Sequence, residues 1–117
     1  MQTGYFVIAG EDCFKKICDF INYEYKVQYE KKLADGILYC TEQFSVMANN
    51  DLLIVITVEK VENKDNECEL EIIAGGGASG LFATTWGNEE RRVHKFYNNM
   101  TGFCESIGYT ISALAEQ

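Results

Sequence analysis

The residues with the most chemical potential lie in one short segment. Gly75-Gly76-Gly77-Ala78-Ser79-Gly80 places four glycines in six positions, and Arg91 and Arg92 follow soon after. Glycines in series lose much backbone entropy on ordering, so such a run calls for a reason. Successive backbone N–H groups can form a concave cradle for an anion. A pair of arginines near the start of a following helix can clamp the same anion, helped by the helix dipole. Gly75, Gly76, Gly77, Ser79, Gly80, Arg91 and Arg92 are therefore the expected ligand-binding set. The segment is not a Walker loop, because no Lys-Ser or Lys-Thr follows Gly80. Gly75-x-Gly77-x-x-Gly80 fits the spacing of a dinucleotide fingerprint, but no strand with an acidic ribose ligand follows it. The competing structural reading is a bulge, a sharp bend or a close backbone approach.

Catalytic chemistry has fewer candidates. His94 is the sole histidine, so a His-pair metal site is ruled out. Cys104 lies ten residues further along the same expected helix, too far for a Cys–His dyad. Cys13, Cys18, Cys40 and Cys68 would reach His94 only through the fold. Glu67, Glu69 and Glu71 alternate along one expected strand, with Glu59 on a neighbour. Such carboxylates either bind a hard cation or form a solvated face that discourages edge pairing. The second role is the expected one, and no catalytic residue, metal or cofactor is assigned.

Composition narrows the partners. The chain has 117 residues and a net charge of −8. Residues 35–85 hold nine acids against two bases, whereas residues 1–34 are balanced at five of each. Nucleic acid requires a basic surface, and no segment supplies one. An anionic membrane surface is disfavoured for the same reason. The longest purely apolar run, Leu52 to Ile56, is five residues, against about 20 for a membrane span. The N-terminus has no basic segment leading into an apolar one, so a secretory signal is not expected. Five cysteines without Cys-x-x-Cys spacing then read as reduced core thiols in a cytoplasmic protein.

The elements that must position these residues follow from periodicity. Tyr5 to Ala9 is a strand ending at Gly10, and Asp12 is the expected N-cap of a helix over residues 12–24. Its apolar face is Phe14, Ile17, Cys18, Ile21 and Tyr25. A partly exposed strand over residues 26–31 leads to an Asp35-Gly36 turn. The next strand, Ile37 to Met47, has Leu38, Cys40, Phe44 and Val46 on one parity, expected inward. Asn49-Asn50-Asp51 turns into Leu52 to Val61, which is apolar on both parities at its centre. That strand is then expected to be central in the sheet or covered on both faces. Cys68, Leu70 and Ile72 point inward from the following strand and the glutamates outward. Residues 81–86 read as a further strand or an irregular return. Asn88 caps a last helix that carries its apolar spacing through Val93, Phe96, Met100 and Cys104 to Ile111 and Leu114. That helix would hold about 26 residues and span about 40 Å, with a break near residues 98–102 as the alternative.

The expected fold is α+β: a single antiparallel sheet in the order β-α-β-β-β-β(-β)-α, with both helices on one face. This element order resembles the TATA-binding-protein-like folds, including helix-grip domains, in which a long C-terminal helix crosses a curved sheet. The resemblance implies room for a ligand between helix and sheet. It rests on element order and carries no functional residues over. Three functions follow. One is non-enzymatic binding of a small molecule, an anion or a partner protein, suggested by 13% aromatics and the glycine segment. Another is a homodimer that buries the second face of the sheet. The third is an enzyme using Cys104 or His94 with a carboxylate of the acidic sheet.

Overall fold

A computed structural model describes residues 2–45, 50–76 and 88–114. The elements are β1 (Gln2–Ala9), α1 (Cys13–Glu24), β2 (Tyr29–Lys32), β3 (Gly36–Ser45), β4 (Asn50–Val61), β5 (Lys64–Gly76), α2 (Asn88–Ser106) and β6 (Thr110–Ala113). The strands form one antiparallel six-stranded sheet in the order β2-β3-β4-β5-β1-β6. β2 to β5 run as a meander, and β1 returns to lie between β5 and β6. The Glu62-Asn63 connection between β4 and β5 is tight, with Asn63 in the left-handed region at φ 63°. Asparagine tolerates that conformation better than most residues.

Alternation decides which face is buried. Phe6 and Ile8 of β1, Ile54, Ile56 and Val58 of β4, and Cys68, Leu70, Ile72 and Ala74 of β5 are all buried. The strand register sets them side by side, with Phe6 opposite Leu70 and Ile56 opposite Ile72. Cys13, Ile17 and Ile21 of α1 and Val93, Phe96, Met100 and Cys104 of α2 complete a single core with them. The helices run antiparallel to each other, since Phe20 stacks on Phe103 at 4.3 Å and Tyr25 meets Phe96 at 5.6 Å. No helix among the described residues is long and apolar enough to cross a membrane.

The structure corrects the sequence-based expectation in three places. First, the last helix does not reach Leu114. It ends at Ser106, and residues 110–113 form β6, the edge strand beside β1. Gly108 stops it at φ +79°, with Tyr109 N–H donating to the Cys104 carbonyl at 2.8 Å and Gly108 N–H to that of Glu105 at 3.3 Å. That pair of bonds is a Schellman cap. Ile111 falls at helical spacing and at strand parity alike, so spacing by itself did not separate the two. The helix also runs unbroken through residues 98–102.

Second, β3 presents the opposite parity from the one expected. Tyr39 and Thr41 are buried, while Leu38 and Cys40 are half-buried on the other face. The Thr41 hydroxyl donates to the Lys26 carbonyl at 2.8 Å, and the Tyr39 hydroxyl accepts from Asn22 Nδ2 at 3.2 Å. Register, set by pairing with β4 and by the turn before Gly36, outweighed side-chain polarity. Phe44 and Val46, assigned the same inward parity, are not among the residues whose side chains are described. Third, Asp12 stands at the N-cap of α1 but lies in the left-handed region at φ 57° and makes no side-chain cap bond.

Candidate functional site

Only part of the expected ligand-binding set falls within the described structure. Gly75 and Gly76 are the last residues of β5 and pair with Leu53 and Leu52 of β4. Gly77, Ser79 and Gly80 lie outside the described residues, as does the return expected over residues 81–86. A Cβ added at Gly75 would meet nothing within 4 Å, so close packing does not demand glycine there. The only irregularity in the β4–β5 register falls between Lys60 and Val61, so Gly75 is not a bulge either. Of the two arginines, Arg91 is exposed on α2 and Arg92 is half-buried, lining a cleft over the sheet.

That cleft holds about 260 Å³ between the end of α1 and the first half of α2. Ile54 and Ile72 lie beneath it, and Phe96 and Tyr25 form an aromatic wall. Arg92, Lys95 and Asn99 project from α2 and Glu24 from α1. Asn99 Nδ2 donates to the Tyr25 hydroxyl at 3.4 Å. Burial pushes the Tyr25 pKa up, so the phenol keeps its proton. The sequence pointed to Arg92 as an anion clamp and to Tyr25 on the apolar face of α1, and to no other polar member of this group. Lys95 and Asn99 follow it at i+3 and i+7 on one helix face, a usable signal, but their meeting with Glu24 and Tyr25 depends on the packing of α2 against α1.

A second feature is the open face of the sheet. Side chains directed away from the helices form cross-strand rows. Thr3, Ile73, Val55, Cys40 and Tyr29 make one row by successive pairing from β1 to β2. Leu53 stands beside it at 48% exposure, and Tyr29 at its end is 55% exposed. The adjoining rows carry the acids: Glu71 lies between Tyr5 and Thr57, and Glu69 between Val7 and Glu59. Glu42, opposite Leu53, lies on this face too, so the apolar row has three glutamates on one side and one on the other. Tyr5 donates its hydroxyl to Glu69 Oε2 at 2.5 Å. That bond, with burial and the nearby Glu59 and Glu71 charges, pushes the Tyr5 pKa up to about 12.

The catalytic candidates are not brought together. Cys13, Cys68 and Cys104 are buried, and all five cysteines are free thiols. Burial pushes the thiols of Cys13, Cys18, Cys68 and Cys104 up, Cys104 to about 11. A raised thiol pKa is the reverse of nucleophile activation. The His94 side chain is 72% exposed and lies 3.7 Å from Glu90 one turn earlier on α2. Among the described residues, no group of three or more His, Cys, Asp or Glu side chains is placed to hold a metal.

Comparison with protein-family models, curated proteins and solved structures finds no match to this chain.

Proposed function

We propose that this chain is a non-enzymatic interaction domain that binds a partner protein through the open face of its sheet. The observation that carries this reading is the position of β4. It is a central strand with apolar residues on both faces, yet α1 and α2 cover only one. Leu53, Val55, Ile73, Leu38 and Cys40 lie on the other. Contiguous apolar surface of this kind, bordered by charge, marks interaction sites on soluble domains. Glu59, Glu69 and Glu71 at the acidic end favour a partner with lysines or arginines next to its own apolar stripe. Nucleic acid and acidic membranes are disfavoured by the same charge. The five free thiols agree with a reducing, cytoplasmic setting.

A homodimer is the second reading. Two copies placed head to tail would overlay their Val55 and Ile73 rows and separate Glu59, Glu69 and Glu71 of one copy from those of the other. One pair of variants distinguishes the cases. Val55→Lys and Ile73→Lys alter the open face without touching the helix-covered core. Sedimentation of the full chain reads self-association, and affinity capture from cells reads a basic partner. Under the partner reading the chain is a monomer, and both substitutions abolish capture of the same basic protein. A dimer dissociated by either lysine selects the second reading. If the lysines alter neither capture nor association, both readings are wrong.

A further inference from the structure

We infer that the partner meets the open face with one amphipathic helix, apolar along one half and basic along the other, laid lengthwise over β4 and β5 with its backbone closest at Gly75. This rests on the partner reading above and specifies the segment that the partner presents. Three features of the face argue for it.

Gly75 is the first. It stands on the open face opposite Leu53, in the same parity as Ile73. A Cβ there would meet nothing within 4 Å, so the strand has room for a larger residue. Glycine in a strand costs backbone entropy and gives no side chain to pack. Inside a strand it marks a bulge, a bend or the close approach of another backbone. β4 and β5 stay in register from Leu52 to Lys60 and from Gly76 to Cys68, which leaves neither bulge nor break at Gly75. Close approach remains, and the space over Gly75 is open to receive it. Leu53 beside it is 48% exposed, so the position is a notch without a side chain next to an apolar wall.

The second feature is the width of the apolar area. Leu38 and Cys40 of β3, Leu53 and Val55 of β4 and Ile73 of β5 occupy three adjacent strands. Two strand spacings make ~10 Å, the width of one helix and too narrow for a second sheet. The margins are polar, with Thr3 exposed on β1 and Lys31 opposite Leu38 on β2. The third feature is the direction in which charge appears. Along β4 the open face reads Leu53, Val55, Thr57, Glu59, and along β5 it reads Gly75, Ile73, Glu71, Glu69. The change from apolar to acidic therefore runs lengthwise over these two strands. Glu42, opposite Leu53, is the exception and lies on β3, to one side of that axis. Glu59 and Glu69 stand directly opposite each other, an unfavourable pair that a bound cation relieves. From Leu53 to Glu59 is ~20 Å of strand, which a helix of ~13 residues matches. Lys31 repels the basic half of such a helix from the β2 edge and keeps it over β4 and β5.

The test uses two capped synthetic peptides of about 14 residues and identical composition. One carries leucines at helical spacing along one half and lysines on the same stripe along the other. Its isomer sets the same residues at the alternate spacing of a strand. Amide chemical shifts of the full chain read binding, and circular dichroism of the peptide reads helix formation. The helical-period peptide should bind saturably, gain helix as it binds, and shift residues 53–59 and 69–75. The isomer has the same charge and should bind about tenfold more weakly or worse. Gly75→Val should weaken the helical-period peptide about tenfold, the scale of an overpacked contact. The same variant should leave the urea midpoint of the chain level or higher, because a β-branched residue suits an open strand position. Equal binding of the two peptides, an unchanged affinity in Gly75→Val, or shifts that map elsewhere would each overturn the inference. Shifts of this face on concentrating the chain without peptide would place a second copy there and overturn it too. The partner reading fails separately, when Val55→Lys leaves capture from cells intact. Capture lost to Val55→Lys, with equal binding of the two peptides, removes the helix alone.

Discussion

The thiols of Cys13, Cys68 and Cys104 sit in the core with no exposed surface, which gives them a defined chemistry. Labelling the native chain with a thiol reagent near pH 8 should modify Cys40 and Cys18 first and leave those three protected. A fast-reacting thiol among the three would restore the cysteine-enzyme reading. Their burial also sets the alkaline limit of the fold. Cys104 is raised from 9.0 to about 11, and Tyr5 from 10.0 to about 12. The unfolded chain releases these protons first, so the folded state holds more protons between the two sets of values. The stability tied to them is complete below about pH 9 and is lost as pH rises through about 11 to 12. Urea midpoints should be level up to about pH 9 and fall above it; a midpoint that held level to pH 12 would contradict this. Gly10 is a further case in which one residue decides a contact. The Tyr109 ring lies against its Cα, and the Tyr109 hydroxyl donates to the Glu11 carbonyl. Gly10→Ala would drive a methyl group into that ring and should cost about 1–3 kcal/mol, the usual range for overpacking. Paired with Tyr109→Ala in a double-mutant cycle, much of that cost should disappear.

At the scale of elements, the two glycines of the C-terminal region have opposite roles although both fall within the helix expected from spacing. Gly102 is inside α2, and a Cβ there would meet nothing within 4 Å. Gly102→Ala should therefore stabilise the chain by up to about 1 kcal/mol, the difference in helix propensity. Gly108 also has open space, but at φ +79° it carries the cap. Gly108→Ala should cost about 1–2 kcal/mol from left-handed strain alone. Chemical denaturation of the two variants should move in opposite directions, and a stabilising Gly108→Ala would rule out the Schellman cap. This contrast also shows what was legible. α1 and β4 were readable to within a residue or two because their patterns are long and of one period, whereas β5 extends to Lys64 and Gly76, beyond the alternating stretch of Glu67 to Ile72. Glu67, Glu69 and Glu71 faced outward as read because charge has one favourable side of a half-buried strand. The parity of β3 was not readable. Leu38 and Cys40 are more apolar than Tyr39 and Thr41, yet the latter have hydroxyls that reach Asn22 and Lys26 inside. Four residues of β6 were too few to compete with a helix period already established upstream.

For the whole molecule, the uneven charge becomes a spatial asymmetry. The acidic segment of residues 35–85 contains β4 and β5 at the middle of the sheet, so Glu59, Glu69 and Glu71 gather toward one end of the open face, with Glu42 of β3 toward the other. The short edge strands differ from that centre: β2 exposes Lys31 and Lys32, which discourages strand addition at that edge. The chain contains no proline. Refolding should accordingly lack any phase on the ~10–100 s scale of prolyl isomerisation, and such a phase in double-jump experiments would need another cause.

Of the candidate site, Arg92 and Tyr25 could be named from the sequence, whereas Lys95, Asn99 and Glu24 could not, because they converge only when α1 and α2 pack antiparallel. The sequence by itself determined the class of fold, the inward face of β5, the both-sided apolar character of β4 and the concentration of acid in the middle of the chain. These follow from local period and composition, which act before any long-range contact forms. Only the tertiary structure decided that β1 lies between β5 and β6, that the second face of β4 remains uncovered by both helices, and that two cations, a phenol and an apolar floor share one cleft. Each of these depends on register and on packing between segments far apart in the chain, where the energy lies in contacts that no single stretch of sequence contains.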